Sequence, residues 1–146
     1  MFQVRFHGRG GQVTEPDALL IQDPTLLHQA GLFAGLRPDG YVLVNFTREF
    51  ADLGLGEFAA RHHRDRLVAV PATWLALASL GRPLPGAPML GGFAALTGAI
   101  GLDAVLAAID ERFSGTVATG NAEAARAAFD FVSHQLETER KALSDA

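Results

Sequence analysis

Short apolar runs punctuated by glycine, proline and asparagine fill the first half of the chain, and apolar residues at helical spacing fill the second. "VRFHG" (4–8) opens on β-branched and aromatic residues and breaks at glycine, which predicts a short strand. "DALLIQD" (17–23) is a continuous apolar run ending in polar residues, the pattern of a strand buried on both faces. "DPTLLHQAG" (23–31) predicts a helix capped by Asp23, with Pro24 as its first residue. The Pro-Asp-Gly turn of "RPDGYVLVN" (37–45) feeds a third strand, and "RLVAVPAT" (66–73) is a fourth that Pro71 stops. "ATWLALASLG" (72–81) has helical propensity and closes on Gly81.

In the second half, Leu102, Val105, Leu106, Ile109 and Phe113 recur at helical spacing. In "NAEAARAAFDFVSHQL", Asn121 is placed as an N-cap, and Ala125, Ala128, Phe129, Val132 and Leu136 form one apolar face. "GRPLPGAP" (81–88) reads as a loop and "MLGGFAALTGAIG" (89–101) as a helix loosened by its glycines. The organisation is one domain over 1–136 and a charged C-terminal tail over 137–146 that is expected to fray. Strands alternating with helices predict an α/β fold with a mostly parallel sheet flanked by helices. Ligands of such folds sit at the carboxyl ends of the strands. Here those ends carry Gly8 to Gln12, Asp23, Asn45 and Pro71 to Thr73.

Composition narrows the function. With 49% hydrophobic residues the chain can bury a real core. A formal net charge of −4 argues against nucleic acid or an anionic membrane as partner. No stretch is long and apolar enough to span a bilayer, and Arg5, His7 and Arg9 interrupt any apolar leader, so the expected location is cytoplasmic. The chain has no cysteine, so disulfides and cysteine-ligated iron–sulfur clusters are excluded within it.

"HGRGGQ" carries the most suggestive chemistry. Gly8, Gly10 and Gly11 let backbone N–H groups converge on an anion, Arg9 adds a guanidinium, and Gln12 adds an amide. The spacing is not the dinucleotide fingerprint, and from spacing alone a tight turn is the favoured reading over an anion site. The residues that follow weaken an anion site. Val13 and Thr14 are β-branched and Glu15 precedes Pro16, so no helix opens there to lend its dipole. Asp23 has a capping role to fill. Asn45 ends a buried strand, where its amide would either orient a ligand or cap a loop. In "RHHRDR" (61–66) the adjacent histidines cannot share one helix face, so a solvated turn is expected and no metal. His28 and His134 are isolated on predicted helices, and Trp74, Phe129 and Phe131 read as core or interface. No Ser/His/Asp or Cys/His set is evident, so no catalytic residue is assigned.

Taken in order, "VRFHGRGGQ", "EPDALLIQDPTLL", "FAGLRPDGYVLVN", "VPAT", "PMLGGFAALTG" and "NAEAARAAF" resemble the gamma subunit of the 2-oxoacid:ferredoxin oxidoreductases, a family that includes pyruvate synthase. The resemblance runs to about Val132. It implies membership of a complex that converts a 2-oxoacid and coenzyme A to acyl-CoA and carbon dioxide, with electrons passing to ferredoxin or a similar acceptor. It implies alpha, beta and delta partner subunits that hold thiamine diphosphate, Mg and iron–sulfur clusters, and a gamma chain that binds none of these alone. It associates the glycine-rich loop, Gly8 to Gln12, with coenzyme A handling and with packing near the active site.

The resemblance also exposes a gap. In the family the loop continues into a helix and further strands before the "EPDALLIQD" block, and here these are missing after Gln12. The fold it implies is therefore Rossmann-like but without its first crossover. A parallel strand pair needs a crossover of about a dozen residues or more, which the stretch from Gly8 to Asp17 cannot supply. Any strand at the N-terminus must then change its order in the sheet, pair antiparallel or attach loosely. One sheet face is expected to lose its helical cover and expose apolar surface. Trp74 stands where the family pattern has an acidic residue, and Phe46 where it has a small one. The alternatives are a non-catalytic interaction domain or inactive shortened paralogue, and a free-standing module that binds a nucleotide or coenzyme A.

Overall fold

A computed structural model describes residues 2–4, 18–25, 39–47, 52 and 64–144. The strands β1 (Phe2–Val4), β2 (Ala18–Ile21), β3 (Tyr41–Asn45) and β4 (Leu67–Val70) form one sheet in sequential order. β2, β3 and β4 run parallel, with Leu20 beside Leu43 and Leu43 beside Val68. β1 pairs antiparallel with β2, Phe2 opposite Leu20 and Val4 opposite Ala18. An antiparallel neighbour needs no crossover. The N-terminal strand thus takes one of the arrangements that its short connection allows, and it lies earlier than the expected 4–8 stretch.

Four helices follow: α1 (Ala72–Leu80), α2 (Gly86–Thr97), α3 (Leu102–Arg112) and α4 (Gly115–Ser144). α1 ends at Gly81, whose φ of 77° is the left-handed conformation that a side chain would oppose. The Gly81 N–H donates to the Leu77 carbonyl. α2 begins inside the segment read as a loop. Pro88 sits in its first turn, where a backbone N–H has no intrahelical partner to lose.

α4 differs from expectation at both ends. It starts at Gly115, so Asn121 is not a cap but a buried residue within the helix whose Nδ2 donates to the Val117 carbonyl. The charged segment from 137 does not fray but continues the helix to Ser144, with Lys141 Nζ 3.6 Å from Glu137 Oε1. That pairing at four-residue spacing favours helix.

Residue parity along the strands divides the sheet into two faces. On one, Leu20, Leu43, Val68 and Val70 meet Met89, Phe93 and Leu96 of α2 and Ala128, Val132 and Leu136 of α4. A second cluster joins α2, α3 and α4 through Ala87, Ala94, Val105, Ile109 and Ala125. Leu19, Ile21, Val42 and Val44 point to the opposite face and are 0% exposed. The expected uncovered sheet face is therefore not found at these positions. At the amino edge, Arg66 Nη1 donates to the Asp39 carbonyl at 2.9 Å, and its guanidinium carbon lies 4.6 Å from the Tyr41 ring centre. This pins the Asp39–Gly40 turn to the start of β4.

Candidate functional site

The parallel strands end at the same edge, where Gln22 and Asp23 follow β2, Asn45 ends β3 and Thr73 stands three residues past β4. Asn45 gathers them. It is the last residue of β3, faces the helical side and is 9% exposed. Its Nδ2 donates to the Gln22 carbonyl at 3.0 Å, just past β2, and to Thr73 Oγ1 at 2.7 Å, in α1. Its Oδ1 accepts from the Thr73 N–H at 3.2 Å. The Phe46 N–H donates to the Val70 carbonyl at 3.0 Å, which extends the β3–β4 pairing past Asn45.

The arrangement also answers a local need. α1 follows Pro71, which offers no side-chain cap, and Asn45 satisfies a first-turn N–H from the neighbouring strand. Of the two roles open to Asn45, the structure shows the cap. The amide's two donor hydrogens are both used, and one acceptor position on Oδ1 remains beyond the bond from Thr73.

Asp23, after β2, accepts from the Thr25 N–H at 3.0 Å and from Thr25 Oγ1 at 2.7 Å. This is the side-chain geometry of an N-cap, and the rest of the helix expected over 23–31 lies outside the described residues. The Thr25 hydroxyl first, and then the Thr25 N–H, hold the Asp23 carboxyl below its ordinary range. A depressed carboxylate adds stability above its unfolded-state pKa and loses it as pH falls through its folded value. Thr25→Val removes the hydroxyl donor and is expected to move the Asp23 titration upward in a carboxyl-carbon NMR titration. An unchanged midpoint would show that the hydroxyl bond does not hold the charge.

The other assigned residues separate. Gly8, Arg9, Gly10, Gly11 and Gln12 lie outside the described residues, as do His28 and residues 61–63. His134 is exposed on α4. Phe129 and Phe131 pack against the two cores, as expected, but Trp74 is 66% exposed and is not core. Among the described residues no group of three or more His, Asp or Glu could hold a metal ion. With no cysteine in the sequence, an iron–sulfur cluster has no thiolate ligand here. The described part of the rim does not by itself fit coenzyme A, because the amide that would greet it is engaged within the fold. Thr73 was placed on the rim by the sequence, but its bonds to Asn45 were not foreseen, and Gln22 was passed over. Their partner lies 28 and 23 residues away, and no local pattern signals it.

A family model described as pyruvate ferredoxin/flavodoxin oxidoreductase matches residues 2–131. A pyruvate synthase subunit PorC of Methanothermobacter marburgensis is 37% identical over 123 residues, 84% of this chain and 64% of that protein. A pyruvate/ketoisovalerate oxidoreductases common subunit gamma of Pyrococcus abyssi is 38% identical over 82% of this chain and 63% of its own length. The crystal structure of a pyruvate oxidoreductase subunit PORC from Thermotoga maritima superposes with a TM-score of 0.66 at 29% identity, covering 80% of this chain and 63% of that one. The chain thus spans a little under two thirds of these relatives. Among the described residues no helix is long and apolar enough to cross a membrane. The family match covers most of the chain and the parallel sheet agrees with it, so the chain belongs to the pyruvate ferredoxin/flavodoxin oxidoreductase family.

Proposed function

We propose that this chain is a gamma-type subunit of a 2-oxoacid:acceptor oxidoreductase and works only inside its complex. The family match over residues 2–131 carries the reading. A chain without cysteine cannot ligate an iron–sulfur cluster through thiolates, which supports a role beside a reaction centre rather than around one. The reaction takes a 2-oxoacid and coenzyme A to acyl-CoA and carbon dioxide and releases two electrons to ferredoxin or a similar acceptor. Alpha-, beta- and delta-type subunits would hold the thiamine diphosphate, Mg and clusters that supply the decarboxylation and electron transfer. This chain's part is to help place coenzyme A. Gly8, Gly10, Gly11 and Gln12 offer backbone N–H groups and Arg9 a guanidinium to its phosphates, while Asn45 holds the neighbouring strand ends in place. The chain is shortened after Gln12, and its working site is the cytoplasm.

The test is reconstitution with the other subunits of the same host's complex. Omitting this chain is expected to abolish coenzyme A-dependent 2-oxoacid oxidation. Arg9→Ala is expected to raise the apparent KM for coenzyme A about tenfold, the loss of one charge-assisted phosphate contact, with kcat little changed. An unchanged KM removes Arg9 from coenzyme A placement. A complex fully active without the chain favours the non-catalytic interaction domain.

A further inference from the structure

We infer that the outer edge of β4 pairs with the same edge of a second copy of this chain, joining the two sheets about a two-fold axis at Val68. β4 is last in the sheet order, and among the described residues no strand lies beyond it. The Val70 carbonyl accepts from the Phe46 N–H, so Val70 turns its backbone groups toward β3. That direction alternates along a strand, so Val68 does the same while Leu67 and Ala69 turn theirs outward. Among the described residues no turn or loop bond reaches those of Ala69. Cover also stops short of this edge. Val42 and Val44 are 0% exposed, whereas Leu67 and Ala69, beside them in register, are only half-buried. The strand carries none of the devices that guard an edge from within. "LVAV" has no charge and no proline, and its register with β3 is unbroken. The opposite edge differs, since β1 caps β2 with the chain's own N-terminal strand.

Backbone groups select the class of occupant, and the sequence of β4 selects the copy. Outward N–H and C=O groups at alternate residues are answered by another strand, not by an apolar side-chain surface. With the axis at Val68, Leu67 lies opposite Ala69 of the second copy, and Ala69 opposite the second copy's Leu67. Each outward N–H then meets an outward C=O, and a large side chain stands beside a small one on both sides of the axis. Charge agrees. Arg66 falls opposite Val70 and Asp65 opposite Pro71, so no like charges meet across the pair. Pro71 has no N–H, and Arg64–Arg66 is a short 3-10 helix, so the ladder stops at both ends of β4. β1 shows that this sheet accepts an antiparallel strand beside a parallel one. A two-fold pair consumes both open edges and closes, whereas β4 joined to β1 of another copy would run on as a filament. One strand edge covers less than the ~800 Å² that each side of a stable interface buries, so the pair forms and parts with concentration.

The amides of β4 report the pairing directly. Hydrogen exchange of the chain is followed by NMR from dilute to concentrated solution, with sedimentation equilibrium on the same samples. The Ala69 N–H is expected to exchange at least about tenfold more slowly in the concentrated sample, while the Val70 N–H, which faces β3, is protected throughout. Sedimentation is expected to show monomer and dimer and nothing larger. Ala69→Pro removes the outward N–H without taking a donor from the β3 ladder, and Leu67→Lys places a charge on the edge. Both variants are expected to stay monomeric at every concentration, with circular dichroism melts showing that they are folded. A wild-type chain that stays monomeric, or a dimer that Leu67→Lys and Ala69→Pro both keep, overturns the inference. Slow Ala69 exchange in the most dilute sample also overturns it, because the chain would then cover its own edge. A ladder of ever larger species would assign β4 to β1 of the next copy. Protection that appears only when other subunits of the complex are added would assign the edge to one of them, and either result removes the two-fold pair.

Discussion

Gly91→Val is expected to abolish cooperative folding of the chain, and Gly91→Ala to destabilise it by at least about 2 kcal/mol. Gly91 lies in α2 where that helix crosses α4. A Cβ built there would overlap the Ala125 carbonyl oxygen and lie 2.8 Å from its carbon and 2.9 Å from its Cα. All three are backbone atoms, so no side-chain rotation relieves the clash and the helices must move apart. Ala125 and Ala128 are both 0% exposed on the facing helix, and separation would open the packing around them. Alanine's better helix propensity returns only ~1 kcal/mol.

Gly92 is the control. A Cβ there would meet the ends of the Leu43 and Val132 side chains at 3.2 and 3.3 Å, groups that can shift. Gly92→Ala is therefore expected to stay within about 1 kcal/mol of wild type, the gain in propensity offsetting the crowding. Urea denaturation of the three variants reads the contrast. Equal midpoints for Gly91→Ala and wild type would mean that the helices do not cross this closely.

The same pair of glycines shows where a sequence stops being legible. In "MLGGFAALTG" they read as a loosening of the helix, since glycine is a poor helix former. In the structure Gly91 permits the backbones of α2 and α4 to meet at Ala125, a property that belongs to the partner helix and not to the local sequence. Asn121 was misplaced for a related reason. The preceding "GTVATG" is weak in helix propensity, and asparagine is a favoured cap, so a start at Asn121 was the better local reading. Packing overrides it: a Cβ at Gly120 would lie 2.9 Å from the Ser79 carbonyl oxygen and from Leu80 Cδ1, so α4 is already held against α1 before Asn121, and the helix begins at Gly115.

What was legible were the features set by local patterns. "YVLVN" and "LVAV" are apolar runs bounded by turn residues, and both are strands. The cap at Gly81 and the stop at Pro71 follow from backbone chemistry that needs no partner. The edge carrying the rim was legible too, because it follows from parallel topology. Which rim side chains touch was not, because Asn45, Gln22 and Thr73 come from three separate segments. The burial of Leu19 and Ile21 was legible in the continuous apolar run of "DALLIQD", whereas the missing crossover argued against cover for that sheet face, on which Val42 and Val44 are buried too.

Asn45→Ala is expected to cost about 3 kcal/mol of stability and to loosen the rim. It strips partners from the Gln22 carbonyl, the Thr73 hydroxyl and the Thr73 N–H at once. Each polar group left unpaired at a site this buried costs ~1–3 kcal/mol, and water entering the space vacated by the amide offsets part of the sum. Asn45→Asp separates the two halves of the interaction. It keeps an acceptor for the Thr73 N–H, and its negative charge suits the first turn of α1. It cannot donate to the Gln22 carbonyl while ionised, so its loss should be smaller than that of Asn45→Ala and should shrink as pH falls and the carboxyl regains a proton. Thr73→Val removes the hydroxyl but keeps the backbone N–H. In a double-mutant cycle Asn45→Ala and Thr73→Val are expected to couple by about 1 kcal/mol, as contacting residues in one hydrogen-bonded set do. Stability within about 0.5 kcal/mol of wild type for Asn45→Ala would mean that water replaces the amide at no cost. The rim would then be held by its backbone alone, and no role in placing a ligand could be traced to Asn45.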